Sequence, residues 1–248
     1  EKDITMVVVG PEDPLVKGIA DFRSEGCDTI VAVGGGAAMD ISKAVRKMAE
    51  EMDPSGSHIP LICIPTTSGS GSEVTSFAVI SDRQNQTKIP LISEDMSPDE
   101  AILDVALVRT VPAAVVADTG MDVLTHAIEA YVCTKQNDFS GALAERAVEL
   151  CGEYLYRSFL DANDIEARTK MHIASNMAGL AFNASGLGLV HGMAHALGAH
   201  LHIAHGRANA MLLPWVIEYN AGISNITNMI QNPAHLAPVV DCYCIIAN

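Results

Sequence analysis

A chain of 248 residues that is 49% hydrophobic and 18% charged is long enough to bury a real core and too apolar for a disordered segment. Its 30 acidic residues against 15 basic ones give a net charge of -15, a field that repels nucleic-acid phosphates and anionic lipid headgroups. No apolar run reaches the roughly 20 residues needed to span a bilayer, and Glu1-Lys2-Asp3 opens no export signal, so a soluble, cytoplasmic protein is expected, with neither nucleic acid nor membrane as partner.

The first 110 or so residues alternate β-branched runs with helical stretches. ITMVVVG (4–10), TIVAVGGG (29–36) and PLICIPTT (60–67) read as strands. PLVKGIADFRSEG and AAMDISKAVRKMAEEM place apolar residues three and four apart and read as amphipathic helices, giving a βαβ order and a parallel sheet. QTKIPLIS reads as a further strand. From Pro112 the pattern turns to Ala-, Leu- and Met-rich helical segments: VLTHAIEAYV, GALAERAVELCGEYLYRSFL and ARTKMHIASNMAGLAF. The expected organisation is an α/β nucleotide-binding domain at 1–110 and an all-helical metal-binding domain at 111–248, divided at Thr110-Val111-Pro112. Six cysteines, at 27, 63, 133, 151, 242 and 244, form no CxxC pair and read as reduced thiols, Cys242 and Cys244 included.

Gly34-Gly35-Gly36 ends a strand and opens a helix, so backbone N–H groups and the positive helix end converge where a pyrophosphate would fit; the alternative is a turn that binds nothing. Glycine is expected there because a Cβ would hold the phosphate away. Asp40 and Lys43 behind the loop read equally as a surface ion pair. Pro65 to Thr75 (PTTSGSGSEVT) also follows a strand and carries hydroxyls suited to a ribose, phosphate or amide, or else is a polar turn with Ser70 or Ser72 capping a helix. Two such loops at strand ends line the carboxyl edge of an open sheet, where dinucleotides bind.

Asp122 and His126 are four apart and share a helix face, and His191 and His195 repeat that spacing, with His205 ten residues on. Three imidazoles and one carboxylate without cysteine suit Fe(II) or Zn(II) and leave a position for substrate. His200 and His202 are taken as non-ligands, and His172 as a half-buried helix residue.

On four motifs, GGGAAMDISKAV, PTTSGSGSEVT, TGMDVLTHAIEAY and GLGLVHGMAHALGAHLHIAHGRANAMLLP, nearly the whole chain resembles the iron-containing (group III) alcohol dehydrogenases. The resemblance implies a Rossmann-like N-terminal domain, a helical metal-binding C-terminal domain and an active site between them. It implies metal ligands at Asp122, His126, His191 and His205, and His195 as a catalytic proton-relay residue beside the nicotinamide. It further implies cofactor contacts from Gly35, Gly36, Ala37, Thr66, Thr67, Ser70 and Lys88, to which Asp40 is added. The implied cofactors are Fe(II), with Zn(II) as alternative, and NAD, with NADP as alternative; the implied substrate is a small alcohol or aldehyde, and the expected assembly a homodimer or higher homo-oligomer. Two departures stand out: Ala37 replaces the usual serine, offering only its backbone N–H, and family members are longer, so the opening strand-helix portion and final helices are expected to be missing. The competing enzyme reading is a dehydroquinate synthase-like or glycerol dehydrogenase-like relative. A phosphorylated sugar acid would need basic residues, and Arg207 is the sole Lys or Arg in 180–215. A third reading is a non-catalytic metal- and nucleotide-binding module.

Overall fold

The computed structural model describes residues 22, 26–82, 87–201 and 203–221. The strand expected at 4–10, most of the helix after it and the Cys242/Cys244 pair lie outside them. The described chain opens with β1 (Ile30–Gly34), α1 (Gly36–Glu51) and β2 (Leu61–Pro65), followed by a single 3-10 turn over Ser72–Val74. Then come β3 (Phe77–Asp82), β4 (Thr87–Ile92) and the two-residue β5 (Glu100–Ala101). β1, β2 and β5 form a parallel sheet in that order. That is the expected parallel sheet; β3 and β4 lie outside it as a separate antiparallel hairpin, paired from Phe77↔Ile92 to Asp82↔Thr87.

The apolar strands IVAVG and LICIP exist because α1 covers them. Met39, Val45 and Ala49 of the helix pack on Ile30, Ala32, Leu61 and Cys63, all nearly inaccessible to water. Each of the larger side chains, Met39, Val45, Ile30 and Leu61, contributes about 1.5–3 kcal/mol of burial. β1 and β2 pair in register from Ile30↔Leu61 to Gly34↔Pro65, so the glycine loop and the Ser/Thr loop leave the sheet side by side at one edge. Arg46, 1% exposed, points inward from α1 to Asp99 Oδ2 at 3.1 Å, Ser97 O at 3.0 Å and Asp95 O, tying the segment before β5 to the helix.

After Pro112 every described element is helical: α2 (Ala113–Val132), α3 (Asp138–Leu160), α4 (Ile165–Ser185), α5 (Leu189–Leu201) and α6 (His205–Asn220). The starts are chemically explicit. Asn137 caps α3 in a reciprocal box with Ser140, and Asp164 caps α4 by accepting from Ala167 N. α2, α3 and α4 pack through fully buried alanines, Ala127, Ala147, Ala174 and Ala178, flanked by Leu150, Leu155 and Met171. Arg168 on α4 donates to Val108 O at 3.1 Å and Val111 O at 3.3 Å, fastening the entry to α2. Among the described residues no single helix is long and apolar enough to cross a membrane, and Cys63, Cys133 and Cys151 are free thiols.

Candidate metal centre

α2 presents one buried polar stripe at i, i+4 and i+7: Asp122, His126 and Glu129, 7%, 5% and 2% exposed. The apolar residues Val123, Ala127 and Ala130 on either side of that stripe drive α2 into the bundle, which carries the polar groups inside with them. α5 and α6 pack on α2 through Val190, Ala194, Ala208 and Leu212 against Leu124 and Ile128. The start of α6 is pressed so tightly onto α2 that a Cβ at Gly206 would lie 1.8 Å from Asp118 O. Only glycine fits beside His205, and that close approach brings its ring to Asp122.

The Nε2 atoms of His191 and His205 both stand 3.6 Å from Asp122 Oδ1, and that of His126 3.8 Å. Asp122, His191 and His205 form the tightest group, their ligand atoms all within 4.8 Å of one another. His126 joins through Asp122 and by stacking on His191 with ring centroids 4.5 Å apart. These separations are too long for hydrogen bonds. They match a shared cation well, since two ligands each ~2.1 Å from a tetrahedral metal stand ~3.4 Å apart. Two buried atoms, His126 Nδ1 and Asn209 Oδ1, have no hydrogen-bond partner among the described residues. One carboxylate and three imidazole nitrogens at that spacing are a donor set that fits a divalent cation.

Protonation follows the same geometry. Burial works to raise Asp122, but the three histidines around it outweigh that and hold the carboxyl well below the usual range. Burial pushes His126 down to about 3. Burial also opposes the charged form of His191, yet Asp122 and Glu129 overcome it and lift the ring to about 9. Asp122 and Glu129 thus favour positive charge at His191, while burial keeps His126 neutral.

His195, one turn beyond His191, stacks on His205 with centroids 4.9 Å apart and so borders the cluster. His172 is not half-buried as expected but 3% exposed; its Nδ1 lies 3.0 Å from Ser68 Oγ, bonding α4 to the Ser/Thr loop. The side chain of His200, and His202, lie outside the described residues. Two participants escaped sequence reasoning. Asn209, one turn into α6 from His205, places Nδ2 2.7 Å from Asp122 Oδ1, 3.2 Å from His191 Nε2 and 3.3 Å from His205 Nε2. Glu129 sits behind His191. Their i+4 and i+7 spacing to His205 and Asp122 was the available signal.

At the sheet edge, α1 begins at Gly36 with Gly35 before it and no side-chain cap or acidic residue in its first turn, as an anion site requires. The structure shows a reason for glycine besides the expected one. A Cβ at Gly36 would meet Ser70 Oγ at 2.8 Å, so the small residue lets the two loops touch. Ala37 follows in that first turn, and Thr66 N donates to Gly34 O at 2.9 Å, joining the loops from the other side. Thr67 faces Gly35, its Oγ1 3.4 Å from where a Cβ would stand. Neither Ser70 nor Ser72 caps a helix; Gly71 precedes the short 3-10 turn.

The surface-pair reading of Asp40 and Lys43 is corrected, because Lys43 lies wholly inside and Asp40 is half-buried. Asp40 accepts from Ser72 Oγ at 2.6 Å and Val79 N at 2.9 Å, while Lys43, fully buried, donates to Phe77 O at 2.7 Å and Thr75 Oγ1 at 3.1 Å. Both Asp40 oxygens are thus used within the protein. Lys88 lies in β4, and its side chain is outside the described residues.

Comparison with known proteins agrees with this architecture. Residues 8–105 match the family model for iron-containing alcohol dehydrogenase, and residues 116–241 the model for the C-terminal part of the Fe-containing alcohol dehydrogenase family. The chain is 47% identical over 211 residues to 1-propanol dehydrogenase PduQ of Citrobacter freundii, covering 84% of this chain and 55% of that protein. It thus spans about half the length of that relative. A crystal structure of 1,3-propanediol oxidoreductase superposes with a TM-score of 0.78 at 36% identity, over 93% of this chain and 63% of the other. Sulfoacetaldehyde reductase from Bifidobacterium kashiwanohense, solved with NAD+, gives 0.79 at 32% identity, over 88% and 61%. With both of its parts matched in order, the chain belongs to the iron-containing alcohol dehydrogenase family.

Proposed function

We propose that the protein is a metal-dependent oxidoreductase that moves a hydride between a nicotinamide dinucleotide and a small primary alcohol or aldehyde. The observation that carries this reading is the convergence of three imidazole Nε2 atoms within 3.6–3.8 Å of Asp122 Oδ1, with His195 stacked at their border. Membership of the family and the NAD+ complex of one structural relative support it.

In this reading Asp122, His126, His191 and His205 hold the cation, Fe(II) or else Zn(II), which when bound supplies a Lewis acid for an alcohol or carbonyl oxygen. His195 takes the hydroxyl proton on an imidazole nitrogen during oxidation and returns it during reduction. The alcohol thereby loses one hydride and one proton and leaves as the aldehyde. Backbone N–H groups of Gly35, Gly36 and Ala37 receive the pyrophosphate, Thr66, Thr67 and Ser70 orient the nucleotide, and Lys88 is a further cofactor contact. Asp40 serves from behind, by clamping Ser72 and Val79 so that the cradle keeps its shape. Arg207, the sole Lys or Arg in 180–215, is engaged by Asp118 at 3.3 Å, which favours an uncharged substrate. We further take 1–110 and 111–248 as separate domains, and a homodimer or larger homo-oligomer as the assembly.

The test is NADH formation by the iron-loaded protein with ethanol and 1-propanol, with NADP+ as a parallel arm. His205→Ala is expected to lose more turnover than the roughly 10- to 100-fold caused by removing a partner behind a metal ligand, with nucleotide affinity unchanged. Full turnover in His205→Ala after chelation and dialysis would remove the cation from the mechanism.

A further inference from the structure

Glu129 is the most deeply buried carboxylate beside the histidines, and the reaction as proposed does not use it. It stands on the same face of α2 as Asp122 and His126, and both of its oxygens are committed to the first turn of α5. Oε2 lies 2.6 Å from His191 Nδ1 and 3.4 Å from His191 N, and Oε1 accepts from Val190 N at 2.6 Å. The amide contacts satisfy N–H groups that a helix start leaves unpaired. The contact to the ring does something else. An ionised carboxylate accepts and cannot donate, so the proton between Glu129 and His191 belongs to Nδ1. The neutral ring then carries its lone pair on Nε2, the atom 3.6 Å from Asp122 Oδ1.

We infer that Glu129 is a positioning residue that fixes the Nδ1–H tautomer of His191 and aims Nε2 at the cation. The inference rests on the metal-centre reading given above. Glutamine shows why a carboxylate is needed here. With its single acceptor turned to Val190 N, the amide NH2 faces His191 Nδ1 and drives the ring to the Nε2–H form, which cannot ligate. Turned the other way, it sets N–H against the N–H of Val190, and the start of α5 loses its partner. Other metal sites lose about 10- to 100-fold in affinity when the group behind a ligating histidine is removed.

The experiment compares the protein with its Glu129→Gln variant, using Zn(II) because it is diamagnetic. Zn(II) affinity is measured by chelator competition, the His191 Nδ1–H proton by 1H–15N NMR of the Zn(II)-loaded protein, and stability by thermal unfolding without metal. The wild-type protein should show a strongly deshielded Nδ1–H resonance. Glu129→Gln should lose that resonance and bind Zn(II) about 10- to 100-fold more weakly. A purely structural cap predicts a lower unfolding temperature with unchanged Zn(II) affinity and an unchanged resonance, and that result overturns the inference alone. If the variant fails to fold, the wild-type spectrum decides, since a Zn(II)-bound His191 without an Nδ1 proton bonded to Glu129 contradicts it. No Zn(II) uptake by the wild-type protein takes down the metal reading and this inference together.

Discussion

A carboxylate oxygen ringed by three imidazole nitrogens at 3.6–3.8 Å, none of them a hydrogen bond, is the central residue-scale fact of this protein. Asp122 Oδ1, His191 Nε2 and His205 Nε2 all lie within 2.7–3.3 Å of Asn209 Nδ2, whose two hydrogens cannot serve three acceptors, and a shared cation would satisfy all of them together. The same scale explains Lys43, whose buried ammonium sits between Asp40, Thr75 and Phe77 O. Burial pulls its pKa from the ordinary 10.5 to about 8. Between those values the unfolded chain holds the proton and the folded one does not, so the stability linked to Lys43 rises with pH across the interval. It is lost as pH falls through the lower value. The wild-type advantage over Lys43→Met in urea unfolding should therefore widen from pH 8 to pH 10.5. An advantage independent of pH would mean that Lys43 titrates as an exposed lysine does.

At the scale of elements, the site depends on how α5 and α6 lie against α2. Gly206 sets that distance, because a Cβ there would fall 1.8 Å from a backbone oxygen of α2 that has no freedom to withdraw. Gly206→Ala should destabilise the fold by about 1–3 kcal/mol, as overpacking does, and weaken metal binding as His205 is pushed from Asp122. Equilibrium unfolding and a metal titration would check both, and undiminished metal affinity would show that the helix contact does not position His205. Much of this level was legible. Asp122 and His126 disclosed their shared face by spacing, and the apolar periodicity of α1 to α4 gave the helices. The hairpin of β3 and β4 was less legible because pairing partners are not written in a strand. Even so, Asp82 and Thr87 are too close in sequence for a parallel crossover, which takes about a dozen residues. Asp40 and Lys43 misled because i, i+3 spacing places two charges on one face without saying whether that face is wet. Glu129 and Asn209 went unread for a related reason: their spacing puts them on the ligands' helix faces without saying what they bond.

Across the whole molecule, α4 joins the loop-bearing sheet edge to the histidine cluster. His172 and Asn183 bond the Ser/Thr loop through Ser68 and Ser76, Asn176 bonds Glu73, and Phe182 stacks on His126 with centroids 4.5 Å apart. A nucleotide in the cradle and a cation on the histidines would thus both be braced by one helix, and hydride transfer needs that fixed geometry. The -15 net charge leaves the histidine pocket in a field that draws cations and repels polyanions. The most direct measurement is anomalous diffraction from crystals of the iron-loaded protein at wavelengths above and below the iron edge. The account predicts a single strong iron peak bonded by Asp122 Oδ and the Nε2 atoms of His126, His191 and His205. A peak elsewhere, or none at those four side chains in a crystal that carries iron, would contradict it.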